Sequence, residues 1–385
     1  MTPPERCAPP VPGDGGDLDG DDRRFMALAL TLGRRGLGTT WPNPAVGAVV
    51  VRRDGADPLL VGRGFTQPGG RPHAETEALR RAGAAARGAT LYVTLEPCAH
   101  HGRTPPCAEA IVAAGIARVV TAIADPHTVA AGGHAVLRAH GIAVTVGCGA
   151  GAALRDHAGH ILRVRDHRPR VFLKLAVSAD GKAGLKGRRP AVITSERARA
   201  RVHLMRAMND AVLTGIGTAL ADDPRLTCRL PGMASRSPVR VVLDPRLELP
   251  AGSALVAGAR ETPVWVMTAA TAPAAAERRL ASLGVEVVRV GAGGLRLDLA
   301  AVLGVLAGRG ITRLMVEAGP RVAAAFLAAD LVDEAALLRG PAAIGADGID
   351  ALEGMPLAVL TASPKLRLEG VETVAPDTIE TFARQ

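Results

Sequence analysis

The chain has 385 residues, enough for two domains that each bury a core without disulfide staples. Hydrophobic residues make up 48% and charged residues 22%, which excludes a chain disordered throughout. Aromatics are 2%, too few for a surface that stacks single-stranded nucleic acid.

The formal net charge is +9, yet only four of the 46 basic residues are lysine (Lys174, Lys182, Lys186 and Lys365), and the arginines are dispersed. That scatter reads as a solvated surface with no nucleic-acid partner. Single arginines remain able to grip phosphate bidentately. The five cysteines, Cys7, Cys98, Cys107, Cys148 and Cys228, are odd in number and irregular in spacing, unlike a secreted disulfide framework. No apolar run reaches the roughly 18 residues of a membrane span. The acidic N-terminus lacks a signal-peptide core, so a cytoplasmic protein without a membrane partner is expected.

In chain order, residues 1–22 read as a disordered Pro/Gly/Asp tail. A helix follows, capped by Asp21 or Asp22, with Phe25, Met26, Leu28, Ala29 and Leu32 on its apolar face and a stop at Gly36. Strands are predicted over 45–51, 90–95, 117–124 and 142–146, with helices over 73–86 and 108–114. The polar, Pro-broken segment 163–170 reads as a linker. Beyond it come strands over 171–177, 211–213, 239–243, 264–267, 285–290 and 313–316, and helices over 195–207, 274–283 and 321–328. The alternation implies α/β architecture with largely parallel sheets. No internal repeat is seen, so residues 23–165 and 166–385 are expected to be two different domains.

The sharpest chemical signal is His73-Ala74-Glu75, then Pro97-Cys98, then Cys107. One neutral imidazole and two thiolates suit Zn2+ and leave a fourth tetrahedral position for water. Two thiolates blunt the metal's power to acidify that water, so a separate base is expected, and Glu75 fills the role without ligating. Residues i and i+2 diverge along a regular helix, so His73 and Glu75 can converge only at a first turn, where Pro72 places them. Nine residues of unbroken helix would hold the cysteines about 13.5 Å apart, whereas two zinc-bound sulfurs lie at most about 4.6 Å apart. Residues 99–106 must therefore double back as a loop, with Cys107 opening the next helix. His100 and His101 compete as ligands on sequence grounds; Cys7, Cys148 and Cys228 read as inert packing.

Trp41-Pro42-Asn43-Pro44-Ala45-Val46-Gly47, His73-Ala74-Glu75 and the run from Thr94-Leu95-Glu96-Pro97-Cys98 to Pro105-Pro106-Cys107 resemble the bifunctional riboflavin-biosynthesis pyrimidine deaminase/reductases. Most related deaminases keep their cysteines two residues apart, so the eight residues between Cys98 and Cys107 make the likeness specific. The resemblance implies a cytidine-deaminase-like three-layer domain followed by a dihydrofolate-reductase-like α/β domain, working as a homo-oligomer. It implies a diaminopyrimidinone substrate bearing a phosphoribosylamino group. An activated water attacks the amino-bearing ring carbon while Glu75 moves the water's protons, one to the ring and then one to departing ammonia. Asn43 and the loop 101–104 are implied to line the pocket.

In the second half no complete dinucleotide fingerprint occurs, and Gly215-Ile216-Gly217-Thr218-Ala219-Leu220 is a partial match that reads more readily as a turn than as a cofactor loop. Leu314-Met315-Val316-Glu317-Ala318-Gly319-Pro320 reads as a strand, a glycine turn and a helix start, whose free N–H groups would suit a phosphate. Lys174-Leu175-Ala176-Val177-Ser178, Gly217-Thr218-Ala219-Leu220-Ala221-Asp222 and Val316-Glu317-Ala318-Gly319-Pro320 resemble the family's reductase motifs. That likeness implies NADPH contacts at Ala176, Thr218, Asp222 and Gly319, and substrate contacts at Arg206, Leu226, Arg229 and Glu317. Hydride would reach the sugar carbon of a ring-opened imine, turning ribosyl into ribityl.

Pro190-Ala191-Val192 stands where the family shows Ser-x-Trp, so weaker or shifted reduction is expected. Ala179 replaces a usual leucine, and Asp125-Pro126-His127-Thr128 departs from Asp-Pro-Asn-Pro. Two other readings stay open at this point: a deaminase with a degenerate, structural C-terminal domain, and a nucleic-acid base deaminase.

Overall fold

The computed structural model describes residues 18–385 apart from 56, 103–104, 190 and 292–295. Two compact units divide between Asp166 and His167.

The first helix, Gly20–Gly33, is capped by Asp19: its carboxylate accepts from the Asp22 amide at 2.7 Å, and the Asp22 carboxylate accepts from the Asp19 amide at 3.3 Å. Helix therefore begins inside the predicted tail and ahead of the predicted caps. Asp22 points inward instead of to solvent. It accepts the Arg118 guanidinium at 2.8 and 2.9 Å and the Tyr92 hydroxyl at 2.8 Å. Residues 1–17 of the predicted tail lie outside the described residues.

In the first unit β1 (Gly47–Arg52), β2 (Leu59–Phe65), β3 (Thr90–Val93), β4 (Arg118–Thr121) and β5 (Ala143–Val146) form one sheet in the order β2-β1-β3-β4-β5. β1 runs antiparallel to both neighbours, whereas β3, β4 and β5 are parallel, so the sheet is mixed. Close helix approach explains the glycines in β1 and β2. A Cβ on Gly62 or Gly64 would lie 2.3 Å from the carbonyl oxygen of Ala78 or Ala74 in helix Ala74–Ala82. A Cβ on Gly47 would lie 1.9 Å from the Ala29 carbonyl oxygen in helix Gly20–Gly33. Ala48 pairs with Gly64 and shares its side of the sheet. Gly47, one residue earlier, therefore faces the other way, and the two helices cover opposite faces in three layers. Gly47→Ala should destabilise this unit by about 1–3 kcal/mol, read as a lowered melting midpoint.

The second unit contains β6 (Arg170–Val177), β7 (Lys182–Leu185), β8 (Ala211–Gly215), β9 (Val239–Leu243), β10 (Val264–Thr268), β11 (Glu286–Arg289), β12 (Arg313–Val316), β13 (Glu334–Arg339), β14 (Gly348–Asp350), β15 (Leu366–Val374) and β16 (Asp377–Arg384). Nine of these form a sheet in the order β11-β10-β9-β8-β12-β6-β13-β16-β15, and β7 pairs with β14. The sheet is parallel from β11 to β13 and antiparallel at the β16 and β15 edge. The chain runs outward from β8 to β11, then returns to lay β12 between β8 and β6. In such sheets ligands usually bind at the carboxyl ends of the strands beside a reversal of this kind, here β8, β12 and β6.

Residues 163–170 are not a free linker. Helix Ala158–Arg165 runs through Arg165, and Arg168 donates to the Asp333 carboxylate at 2.6 and 2.7 Å just before β6.

Candidate functional site

In the first unit the metal-ligand chemistry is gathered from three places in the chain. His73 has extended backbone (φ −70°, ψ 161°) and caps helix Ala74–Ala82, so Glu75 sits in the first turn directly after it. Cys98 lies in the loop after β3, and Cys107 is the first residue of helix Cys107–Ala113. His73 Nδ1 stands 3.3 Å from Cys107 Sγ and 3.7 Å from Cys98 Sγ, and the donor atoms of all three lie within 4.8 Å of one another. The Cys107 amide donates to Cys98 Sγ at 3.3 Å and the Ala108 amide to the Cys98 carbonyl at 3.2 Å, which closes the doubled-back loop. Among the described residues this is the one such group of His, Cys, Asp and Glu.

The donor set suits zinc: soft sulfur, one imidazole and a compact spacing. The Cys98 thiol is held down at about 4, chiefly by a hydrogen bond from Cys107 and, against the effect of burial, by His73. A thiolate is the form that ligates. Glu75 is 4% exposed, and burial raises its carboxyl against the pull of His73. A buried carboxyl beside the ligand group is the general acid–base candidate of this site.

His101 is exposed and pairs with Glu109 at 3.5 Å, and neither His100 nor His101 joins the ligand group. Asn43 lies against the ligand instead: its Nδ2 donates to the Gly70 carbonyl at 2.8 Å and stands 3.4 Å from His73 Nε2. Arg103 and Thr104 of the pocket loop fall outside the described residues, as does Cys7. Cys148 and Cys228 are buried, and the Cys148 thiol donates to the Asp22 carbonyl at 3.4 Å.

In the second unit the predicted residues converge at the ends of β6, β8 and β12. Ala176 lies on β6. Thr218 and Asp222 lie on helix Ile216–Asp222, which continues directly from β8, so the partial glycine motif is a helix start rather than a bare turn. Glu317 follows β12, and Gly319 caps helix Pro320–Ala328. Thr218 Oγ1 accepts from the Gly319 amide at 2.9 Å, tying the β8 and β12 connections together.

Arg206 is buried and grips Glu317 with two bonds, 2.8 and 2.9 Å, while a third donor reaches the Thr227 carbonyl at 3.0 Å. Much of its guanidinium is thus committed to protein. Leu226 is buried with φ +54°, a left-handed turn that carries the chain on to Arg229. Burial and the nearby Arg206 and Arg225 hold the Arg229 guanidinium below its ordinary range. Two members of the cluster went unassigned in the sequence. Lys174, on β6, places Nζ 3.6 Å from Glu317 Oε1, and its charge opposes the rise that burial gives Asp222. His203 Nδ1 stands 3.1 Å from the Thr227 carbonyl and 3.3 Å from the Arg229 amide. Lysine is rare in this chain, and one among the otherwise apolar residues 171–177 was the available signal for Lys174. Val192 is 90% exposed, and Pro190 lies outside the described residues.

Residues 19–123 match the cytidine and deoxycytidylate deaminase zinc-binding region, and residues 169–379 match the RibD C-terminal domain. The molecule is thus a zinc-dependent deaminase joined on one chain to a reductase. Riboflavin biosynthesis protein RibD of Escherichia coli is 39% identical over 370 residues, covering 92% of this chain and 97% of that relative. The RibD of Aquifex aeolicus is 38% identical over 364 residues, covering 94% and 98%. The chain belongs to the RibD family of riboflavin biosynthesis proteins, with deaminase and reductase activities.

Among solved structures, Acinetobacter baumannii RibD superposes with a TM-score of 0.83 at 36% identity, covering 94% of this chain and 99% of that one. A diaminohydroxyphosphoribosylaminopyrimidine deaminase/5-amino-6-(5-phosphoribosylamino)uracil reductase from Thermotoga maritima does so with a TM-score of 0.81 at 34% identity, covering 94% and 99%. These matches span both units and favour the bifunctional reading over a lone deaminase. Among the described residues no helix is long and apolar enough to cross a membrane.

Proposed function

We propose that residues 23–165 deaminate 2,5-diamino-6-(5-phosphoribosylamino)pyrimidin-4-one and that residues 166–385 then reduce the ribosyl group of the product to ribityl. The observation that carries this is the convergence of His73, Cys98 and Cys107 beside the buried Glu75. His73, Cys98 and Cys107 would hold Zn2+, which when bound supplies an acidified water. Glu75 takes one proton from that water and gives it to the ring nitrogen; it then carries the proton left on the added hydroxyl to the amine, so the C–N bond breaks, the carbonyl forms and ammonia departs. Asn43 steadies the His73 ring from its far side.

In the second step NADPH supplies hydride when bound. Ala176, Thr218, Asp222 and the Gly319 turn would hold it, the last at the positive end of helix Pro320–Ala328. Arg206, Leu226, Arg229 and Glu317 would hold the substrate. Arg229, crowded by like charges, gains most from a phosphate. Arg206 acts chiefly by fixing Glu317. As hydride reaches the imine carbon its nitrogen needs a proton, and Lys174, 3.6 Å from Glu317, would give one. The family resemblance further implies a homo-oligomer in the cytoplasm, where reducing conditions keep thiol ligands free.

Metal analysis with coupled ammonia and NADPH assays on the diaminopyrimidine phosphate tests this. We expect one zinc per chain, ammonia release, and NADPH oxidation only after deamination. Ammonia without NADPH turnover would make the second unit structural; neither activity would overturn the reading.

A further inference from the structure

Glu96 takes no part in the proton transfers above, yet it is the most heavily engaged carboxylate near the metal ligands. It is 7% exposed and stands two residues before Cys98. Its Oε2 accepts from the Asp125 amide at 3.1 Å, and its Oε1 accepts from the amides of Gly132 at 3.1 Å and His134 at 3.0 Å. His134 Nδ1 lies 3.5 Å from the same oxygen.

The backbone on either side of Cys98 is bound to the same partner segment. The Glu96 amide donates to the Ile123 carbonyl and the Ala99 amide to the Ala130 carbonyl, each at 3.0 Å. Gly133 lets the two segments meet, because a Cβ there would fall 1.8 Å from the Pro97 carbonyl oxygen. A carboxylate accepts without donating, and charge-assisted bonds are stronger than neutral ones. Three converging amides are met by acceptor sites on both carboxylate oxygens, whereas an amide side chain of the same length has one acceptor oxygen and would turn a donor towards the remaining amide.

We infer that Glu96 is a positioning residue for Cys98: by gathering the amides of residues 125–134 it fixes the loop that brings the Cys98 sulfur to His73 and Cys107, and so sets how tightly zinc is held. This rests on the reading of those three side chains as the zinc ligands. Outer partners of ligating residues commonly shift metal affinity about 10–100-fold when removed.

The test uses the full chain and competition for zinc with a chromogenic chelator. Glu96→Ala should weaken zinc binding about 10–100-fold. Glu96→Gln keeps one acceptor oxygen but offers the second site a donor, so its loss should be smaller. Gly133→Ala, which strains the same junction from the partner side, should weaken zinc in the same direction. At saturating cobalt(II), the sulfur-to-metal absorption band of Glu96→Gln should shift from that of the parent, a change that global destabilisation alone would not give.

Cys98→Ser separates the two readings. If it holds zinc as the parent does, the ligand assignment fails. If it releases zinc while Glu96→Gln and Gly133→Ala bind zinc and cobalt as the parent does, only the role of Glu96 is overturned. Should Glu96→Ala fail to fold, the other two variants decide.

Discussion

Glu75→Gln is expected to keep its zinc and to lose ammonia release by about 10²–10⁴-fold, the usual worth of a positioned acid–base group. Glutamine fills the same buried space, so the helix start that carries His73 is preserved and metal content measured by emission spectroscopy should stay at the parent's level. What it cannot do is accept the water's proton. Oxidation of NADPH with supplied deaminated intermediate should be unchanged, which makes the defect specific to one reaction. Ammonia release near the parent's rate in a stopped assay would remove Glu75 from its role.

Glu317→Gln should abolish NADPH oxidation while ammonia release continues. Glu317 neutralises Arg206, whose guanidinium is about nine-tenths buried, and lies within 3.6 Å of the Lys174 ammonium. Removing one partner from such a pair typically costs about 3–5 kcal/mol. The retained amide oxygen should keep this variant near the lower end, visible as a reduced denaturation midpoint.

Acid gives an independent check. Burial alone would raise the Glu317 carboxyl, but Lys174 and Arg206 outweigh it and hold it at about 2, below the ordinary 4.5. A carboxyl depressed on folding contributes stability that is fully present above its unfolded value and is lost as pH falls through the folded one. The parent should therefore lose stability between about pH 4.5 and 2 through this group, and Glu317→Gln should lose less over that interval. Identical acid profiles for the two proteins would show that the Glu317 cluster does not couple to folding.

The metal centre was legible because its evidence is chemical and local. Proline fixes the entry to His73, and the limit on sulfur separation forces a doubled-back loop whatever the rest of the fold. Cys107 does open a helix, and His73 does stand at a helix start. The reductase cluster was less legible because its contacts are distant. Arg206 and Glu317 are 111 residues apart, and nothing in either neighbourhood announces an ion pair. Arginine in so arginine-rich a chain reads equally as surface or phosphate clamp.

Strand β2 escaped notice for a physical reason. Gly62 and Gly64 interrupt its apolar run, and their purpose, letting helix Ala74–Ala82 touch the sheet, is visible only once the helix is in place. The first helix began early because three nearby aspartates compete for the cap, and one of them is consumed by Arg118 and Tyr92 in the core. The β15–β16 hairpin carries too many polar residues, most of them exposed on β15, to stand out as apolar strands.

The late placement of β12 has a consequence during synthesis. β6 and β8 leave the ribosome long before residues 313–316, yet each needs β12 as its neighbour. Until then their facing edges carry unpaired amides and carbonyls open to strand exchange with other nascent chains. The three zinc-binding side chains, by contrast, have all emerged by residue 107. The hydrolytic half can thus mature on the ribosome while its companion still awaits the strand that completes its floor.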